Sequence, residues 1–451
     1  MSANRNCCGE FTRSRMLHSA ASEAGRGLPA IEPGMPIPAG TGLSRRSLLL
    51  RGAGLALAVY GSRLALPAFD AGIAKAAQPD RILVSIFLDG GLDAMSLLAP
   101  TGDPEYARLR PKLALRESGT LPFSEDERLR WNPAAEGIAR LHDEGKVSVF
   151  PAISYSGPDQ SHFTSRHFYE IGEVEVGSRT GWLGRYLDLV GDPDNPLQGL
   201  SMNRTLSPAL ATGTMPVASL SGTEGFGMSA GLGELVNTQL FDSFARLGEL
   251  PADSPGMSQL RTTTRRTAKL RTELNGLGGF ESPVPYPQQM MGRRLATLAD
   301  YIDRGLPIRV ATLSGSGGYD THASQAGTLT RNIQQTSDAI FAFQRDLEAR
   351  GLADRVLVQV WSEFGRRPQE NASGGTDHGA AGCAMVIGTQ AAGRMIGEFP
   401  GLARLDRLNN LRWTSDYRAM YCSLLEQWFG QDAAAIIPGA ASFARPRLVK
   451  P

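Results

Sequence analysis

Five short apolar runs, rich in β-branched residues, constrain the fold of this chain more than any other feature. They occupy residues 82–88, 147–153, 308–313, 356–361 and 384–387. The runs are largely continuous rather than alternating, which is typical of parallel strands covered on both faces. Amphipathic helical patterns follow two of them, over residues 328–350 and 417–428. This order of strands and helices predicts an α/β fold, a mainly parallel sheet sandwiched by helices.

The first 76 residues have the pattern of an export leader. Arg45 and Arg46 precede apolar stretches at residues 52–61 and 64–69, and a small-residue site follows at 74–76. The arginine pair indicates the twin-arginine route. We therefore expect a periplasmic or secreted protein whose leader engages the twin-arginine export machinery and is then removed.

An uncleaved membrane anchor is the alternative interpretation of this segment. Arg51, Gly61 and Arg63 interrupt its apolar stretch, which is shorter than the roughly 20 apolar residues that a spanning helix needs. We therefore expect no stable membrane span. A conventional signal also begins at Met35, so translation from Met35 rather than Met1 is a second hypothesis for the start.

Removal of the leader leaves residues 77–451, which we expect to form a single domain. A Gly-, Ser-, Thr- and Pro-rich stretch at about residues 191–287 is interpreted as an inserted cap. The whole chain has 46 Lys and Arg against 45 Asp and Glu, and the leader is richer in arginine than in acids. This balance gives no reason to expect nucleic acid as a partner.

Acidic and histidine residues cluster next to the predicted strands. The candidates are Asp89 and Asp93 after the first run, Asp320 and His322 after the third, Glu363 after the fourth, and Asp377 and His378 before the fifth. In open parallel sheets, ligands bind beyond the carboxyl ends of the strands. Carboxylates and neutral imidazoles there can hold a divalent metal such as Zn, Mn or Ca. The competing interpretation is that the Asp residues cap helices and turns.

Three further residues are candidates for catalytic roles. Ser161 and His162 follow the second run, and could act as nucleophile and proton carrier. A hydroxyl that only stabilises a turn is the alternative for Ser161. Arg366 follows the fourth run, and its guanidinium matches phosphate or sulfate oxygens. A surface position for Arg366 is the alternative.

At these residues the chain resembles the domain of unknown function family 1501, secreted bacterial proteins that often carry twin-arginine signals. The resemblance lies in FLDGGLD at 87–93, SHF at 161–163, TGWLGRY at 180–186, GYDTH at 318–322, and SEFGR at 362–366 with GGTDHG at 374–379. It implies the fold of the alkaline phosphatase and sulfatase superfamily. It also implies metal ligands at Asp89 or Asp93, Asp320, His322, Asp377 and His378, with Glu363 as a further ligand or a neighbouring base.

The resemblance implies a hydrolase of phosphate or sulfate esters that depends on a divalent metal. No histidine follows His378, which favours one metal, with His162 as an additional ligand or acid–base group. The alternative function is non-catalytic: an exported protein of the same fold that binds a polysaccharide or a protein partner. A small anionic ester or a polysaccharide is the partner expected in solution.

Overall fold

Continuous apolar runs form the central strands of the computed structural model, which describes residues 81–193, 195–220, 234–275 and 281–451. The leader at 1–76, with Arg45 and Arg46 and the start at Met1 or Met35, lies outside the described residues. The strands are β1 (Ile82–Phe87), β2 (Leu98–Ala99), β3 (Leu121–Pro122), β4 (Arg130–Trp131), β5 (Val147–Ser154), β6 (Gly199–Ser201), β7 (Ala218–Ser219), β8 (Val310–Ser314), β9 (Val356–Trp361), β10 (Arg366–Glu370), β11 (Thr376–His378), β12 (Gly382–Ile387) and β13 (Ser415–Asp416).

The helices begin at recognisable capping residues in several cases. They are α1 (Ala94–Leu97), α2 (Pro104–Leu109), α3 (Glu136–Asp143), α4 (His162–Ile171), α5 (Trp182–Val190), α6 (Glu234–Glu249), α7 (Pro255–Asn275), α8 (Met290–Asp303), α9 (Gln325–Ala349) and α10 (Tyr417–Ser423). Asp103, Ser161 and Asp416 accept backbone N–H bonds at the starts of α2, α4 and α10. Helix α10 continues as a π-helical turn, Leu424–Trp428.

The chain divides into two compact units, and the sheet that carries the candidate site belongs to the unit formed by Gln78–Val174 and Phe280–Pro451. Its strands lie in the order β13-β5-β12-β9-β1-β8. Strand β1 pairs in parallel with both β8 and β9, and β13 pairs in parallel with β5. Every residue of β1, β5, β9 and β12 is buried. Both faces of the sheet are therefore covered, and the predicted α/β fold with a mainly parallel sheet is confirmed.

Strand β12 is antiparallel to both of its neighbours. It pairs antiparallel with both β5 and β9, so its first residues lie at the edge where β1, β5, β8 and β9 end. A short antiparallel hairpin of β10 and β11 precedes it and places Arg366 opposite His378. This reversal brings the residues before β12 to the same edge as the loops that follow the parallel strands.

Helices cover the faces of this sheet. Helix α3 packs against β5, α8 packs against β8, and α9 packs against both α3 and α8. The predicted helices over 328–350 and 417–428 correspond to α9 and to α10 with its π-helical turn. Helix α9 buries Ile333, Ile340, Phe343 and Leu347, the residues that define its apolar face.

The described part of the second unit lies within Glu175–Gly279. It contains α5, the parallel pair β6 and β7, and the packed helices α6 and α7. The stretch at about 191–287 falls largely within it; its interpretation as an inserted cap and the assignment of 77–451 to a single domain both stay predictions. No helix in the described ranges has both the length and the apolar character needed to cross a membrane.

Candidate metal centre

Three side chains from separate segments of the chain converge at the carboxyl edge of the sheet. His162 follows β5 at the start of α4, Asp320 follows β8, and His378 ends β11 just before β12. One ligand atom from each lies within 4.8 Å of the other two. The two histidines are buried and Asp320 is half-buried. We call His162, Asp320 and His378 the triad.

His162 is held between two carboxylates. Its Nδ1 lies 2.7 Å from Oε1 of Glu363, and its Nε2 lies 3.5 Å from Oδ1 of Asp320. Burial alone would lower the pKa of His162, but hydrogen bonds and charge from Asp320 and Glu363 raise it to about 9. An imidazolium is therefore favoured here unless another cation replaces its proton.

His378 has two ring nitrogens in different environments. Nδ1 lies 2.8 Å from the carbonyl oxygen of Gln160, which only accepts, so Nδ1 carries a proton. Buried Nε2 has no hydrogen-bond partner within the part of the chain that the structure describes, and it faces Asp320 Oδ1 at 3.4 Å. Burial lowers the pKa of His378. In the neutral ring, Nε2 presents a lone pair toward a carboxylate.

Asp320 is a carboxylate surrounded by basic side chains. Its Oδ1 lies 3.0 Å from Nε2 of His322 and 2.5 Å from Nη2 of Arg366, in addition to the two triad histidines. Burial would raise the pKa of Asp320, but hydrogen bonds from His162 and His322 and the Arg366 charge hold it far below its usual range. The carboxylate is therefore ionised.

Glu363 is a fully buried carboxylate that orients His162. Its oxygens accept N–H bonds from Gly90 and Gly91 at 3.0 Å and a hydroxyl bond from Ser362 at 2.9 Å. Burial would raise the pKa of Glu363, but the hydrogen bond and charge of His162 and the Gly91 N–H bond lower it. The backbone can approach so closely because Gly90 and Gly91 have positive φ values of 116° and 72°.

Arg366 is buried and uses all its N–H groups inside the protein. Nε donates to the carbonyl of Gly91 at 2.9 Å, and Nη1 donates to the carbonyl of Thr376 at 2.8 Å and faces His322 Nε2 at 3.2 Å. Nη2 donates to Asp320 and to the carbonyl of Gly90. The alternative of a surface position for Arg366 is excluded, and its guanidinium holds the loops after β1 and β8 together.

His322 and Asp377 lie on the open side of the triad. Nδ1 of His322 is 3.3 Å from Oδ1 of Asp377, and the two side chains are 30% and 40% exposed. Asn371 donates to both the carboxylate of Asp377 and the carbonyl of His322, at 3.0 and 2.9 Å. Burial would raise the pKa of Asp377, but its bonds to Asn371 and His322 lower it. This pair is the part of the cluster that faces solvent.

The remaining predicted site residues make other contacts. Asp93 is fully buried, and Arg110 donates to both of its oxygens at 2.5 and 2.9 Å. The charge of Asp89 acts on Arg166. Ser161 accepts from the N–H of Thr164 as the N-cap of α4. None of these three belongs to the triad.

Three contributing residues were missed by the sequence analysis. Gln160 offers a backbone carbonyl to His378, Asn371 supports the His322–Asp377 pair, and Arg110 neutralises Asp93. Asn371 carried a signal, since asparagine before a glycine-rich turn often bonds to nearby backbone; its side chain accepts from the N–H of Ser373 and Gly375. Gln160 acts through its backbone, which no residue pattern reveals.

The donor set of the triad fits a divalent metal. Two imidazoles and one carboxylate are a common three-residue ligand set for catalytic zinc and for iron. Each histidine has its Nδ1 engaged by an oxygen, Glu363 Oε1 or Gln160 O, the arrangement that fixes Nε2 as the ligating atom. Nε2 of His378 and Oδ1 of Asp320 face each other with their lone pairs, and a cation bound by both atoms would remove this unfavourable contact.

The chain matches the family described as "Protein of unknown function (DUF1501)" over residues 257–416. This match supports the resemblance stated from the motifs. No curated protein sequence matches the chain.

Among solved structures, similar folds come from several bacterial proteins. A phosphonate monoester hydrolase from Silicibacter pomeroyi is 12% identical, with 81% of this chain and 76% of that chain covered and a TM-score of 0.34. A protein in the alkaline phosphatase superfamily from Vibrio parahaemolyticus is 10% identical, with 94% and 75% covered and a TM-score of 0.33. The zinc complex of the C-terminal periplasmic domain of EcEptC from Escherichia coli is 8% identical, with 81% and 88% covered and a TM-score of 0.38. These are likenesses of fold alone.

Proposed function

We propose that this protein is an exported, metal-dependent hydrolase of phosphate or sulfate esters. One observation carries the proposal: two imidazoles and a carboxylate from three separate segments meet within 4.8 Å, and the buried Nε2 of His378 has no hydrogen-bond partner among the described residues. An unsatisfied buried nitrogen is costly in a structure that needs no ligand there. Perturbed acid and base groups in such a cluster are typical of functional sites.

The triad would hold the metal through Nε2 of His162, Nε2 of His378 and a carboxylate oxygen of Asp320. A divalent cation there would polarise the ester and promote ionisation of a water molecule. The leader and the family resemblance support export, which would place this chemistry in the periplasm or outside the cell.

The protein's own residues would have distinct tasks. Glu363 and the Gln160 carbonyl orient the two imidazoles. Arg366 positions Asp320 and offers no remaining N–H to a substrate, so we assign it a positioning role rather than direct binding of the ester. His322, the most exposed of the three histidines around Asp320, would move a proton with Asp377 as its partner.

A second candidate function is non-catalytic binding of a polysaccharide or a protein partner. The contacts of Ser161 and Arg366 favour it, because Ser161 caps α4 and Arg366 is fully engaged. A hydrolase would then depend on water as its nucleophile and on the metal for charge neutralisation. The two candidates differ in whether the triad supports turnover.

The test is turnover of aryl phosphate and aryl sulfate esters by the full chain, exported and purified without chelator. We expect turnover that a chelator abolishes and that His378→Gln lowers by about 100-fold or more, since losing a ligand should exceed the 10–100-fold effect of losing its support. His142→Gln is the matched control, because His142 is a buried histidine whose Nε2 bonds Glu125 outside the site. Turnover unaffected by chelator and by His378→Gln would overturn the proposal. Absence of turnover over added Zn, Mn and Ca would favour the binding function.

A further inference from the structure

A cavity of about 280 Å³ lies in the same unit as the triad, lined by Pro158, Asp406, Leu411, Arg412 and Trp413. None of these residues is used by the proposed chemistry. We propose that the cavity is a subsite for the sugar ring of an anionic saccharide, an inference that rests on the proposed function by naming its substrate class. We call it the Trp413 cavity.

The lining offers a flat apolar surface beside a cation. Trp413 is 39% exposed, one of the few large apolar side chains that reach solvent among the described residues. An indole offers a wide rigid face for apolar contact together with a polar N–H. Such a surface matches the C–H face of a sugar ring, which is apolar while its edge carries hydroxyl groups.

Arg412 supplies the charge selectivity. It is exposed, and within the ranges the structure describes it makes no hydrogen bond or ion pair. Residues 404–413 also contain Arg404 and Arg407, against the single carboxylate of Asp406. A guanidinium that is not engaged by the protein favours the sulfate or phosphate oxygens of an incoming ligand.

The wall of the cavity is preorganised by Asp406. Its Oδ1 accepts from the N–H groups of Leu408 and Asn410 at 2.8 and 2.7 Å, and its Oδ2 accepts from Asn410 Nδ2 at 3.0 Å. These bonds hold a turn in which Asn409 has a φ of 60°. A fixed wall lowers the entropy lost on binding.

Hydrogen bonds join this wall to the triad. Asn410 Oδ1 accepts from Gln160 Nε2 at 3.1 Å, and the carbonyl of the same Gln160 accepts from Nδ1 of His378 at 2.8 Å. Pro158, on the opposite lining segment, lies in the loop that leads into His162. A sugar in the Trp413 cavity would therefore be held by the loops that orient two triad residues.

The proposal is tested by calorimetric binding of a sulfated galactan hexasaccharide and of the same hexasaccharide after desulfation. A phosphorylated hexasaccharide forms a third arm, because sulfate and phosphate share the oxygens that Arg412 would contact. We expect the full-chain protein to bind a charged hexasaccharide at least about tenfold more tightly than the neutral one, a difference of about 1.4 kcal/mol. The charged ligand that binds more tightly identifies the ester group.

Variants assign the binding to the cavity. Trp413→Ala and Arg412→Ala are each expected to weaken binding of the charged hexasaccharide about tenfold or more. Arg404→Ala and Leu408→Ala are the controls, since both residues are exposed on the same segment and neither lines the cavity. Equal binding of charged and neutral sugars, no binding, or equal losses in the controls would overturn the proposal.

Asp320→Asn separates the two proposals. Binding that survives in this variant while ester turnover is lost supports both the subsite and the hydrolase. Binding that requires Trp413 and Arg412, in a protein without turnover, supports the subsite and overturns the hydrolase. Turnover of aryl esters with no saccharide binding overturns the subsite alone.

Discussion

At the residue scale, the site depends on which nitrogen of each histidine carries a proton. His162 and His378 both direct Nδ1 toward an oxygen, that of Glu363 and that of Gln160. Both therefore present Nε2 toward Asp320, at 3.5 and 3.4 Å. The sequence could predict that these residues gather, since they follow or precede strands, but not the orientation of their rings. Ring orientation follows from Glu363 and Gln160, which are distant in sequence from the residues they orient.

Glu363→Gln tests the support of His162. The carboxylate of Glu363 accepts hydrogen bonds from Gly90, Gly91 and His162. The variant keeps the shape of this side chain but removes its negative charge. We expect metal affinity to fall about 10–100-fold, because loss of a partner behind a ligating histidine has this effect. Competition with a fluorescent zinc chelator measures the affinity.

Glu370→Gln is the matched control for that variant. Glu370 also accepts backbone N–H groups, from Lys112 and Leu113 at 3.0 and 2.8 Å, but it lies outside the triad. Its substitution should leave metal affinity within about twofold. Equal losses in both variants would contradict a specific role for Glu363.

The contacts of Asp93 indicate a structural role as the buried partner of Arg110, rather than a role in metal binding. We expect Asp93→Asn to lower the free energy of unfolding at pH 7 by about 3–5 kcal/mol, because it leaves Arg110 buried without its counter-charge. Urea unfolding of variant and wild type measures the difference. Asp126→Asn, in a pair with the exposed Arg128 at the protein surface, should cost at most about 1 kcal/mol.

The Asp93 pair also predicts the pH dependence of stability. Burial would raise the pKa of Asp93, but Arg110, Ser96 and Gln325 hold it below its usual value. Its contribution is therefore complete above the unfolded pKa of about 3.9 and is lost as the pH falls through the lower folded pKa. The difference between wild type and Asp93→Asn should shrink below about pH 4. A constant difference down to pH 2 would contradict this assignment.

At the scale of elements, apolar patterning identified the central strands well and their directions less well. The five predicted runs correspond to β1, β5, β8, β9 and β12. A continuous apolar run marks a strand buried on both faces but carries no information on its direction, so the reversal of β12 could not be predicted. The two-residue strands β2, β3 and β4 are too short for any periodicity. The antiparallel direction of β12 matters because it places His378 at the same edge of the sheet as His162 and Asp320.

Gly90→Ala tests the packing of the loop after β1 against the loop after β8. An added Cβ would lie 2.4 Å from the backbone nitrogen of Asp320, and the φ of Gly90 is 116°. We expect a loss of stability of at least about 1 kcal/mol, since φ is positive there, together with weaker metal binding as Asp320 is displaced. Thermal unfolding and metal titration measure the two effects.

Gly119→Ala is the control for this substitution. Gly119 lies in a short 3₁₀ turn, Glu117–Gly119, and an added Cβ there meets nothing within 4 Å. This variant should keep both stability and metal binding. Retention of full metal affinity in Gly90→Ala would show that the two loops do not position Asp320.

At the scale of the whole molecule, a predicted export leader precedes the proposed metal site in the sequence. The leader was predicted from residue order alone, because charge, apolar length and a small-residue site act locally in sequence. The site could be recognised only in the assembled sheet, because His162 and His378 are more than 200 positions apart in the sequence. Patterns along the chain predict a destination and a type of site, and both stay predictions, while the fold determines which candidates meet.

Twin-arginine export predicts a specific sensitivity. Changing Arg45 and Arg46 together to Lys should retain the precursor inside the cell, because that route reads the arginine pair. Arg51→Lys is the control, since it changes an arginine of the same leader outside the pair. Immunoblots of cytoplasmic, periplasmic and medium fractions measure the outcome. Normal export of the double variant would contradict the twin-arginine assignment.

The central claim is that the triad binds a divalent metal, and metal titration of the chelator-treated full chain tests it most directly. Calorimetry with zinc and with manganese, on wild type and on Asp320→Asn, would give stoichiometry and affinity together. We predict about one metal per chain in the wild type, with affinity lost in Asp320→Asn and retained in Asp303→Asn, a control carboxylate paired with Arg350 outside the site. Wild-type protein that binds neither metal, or Asp320→Asn protein that binds as well as wild type, would contradict the account.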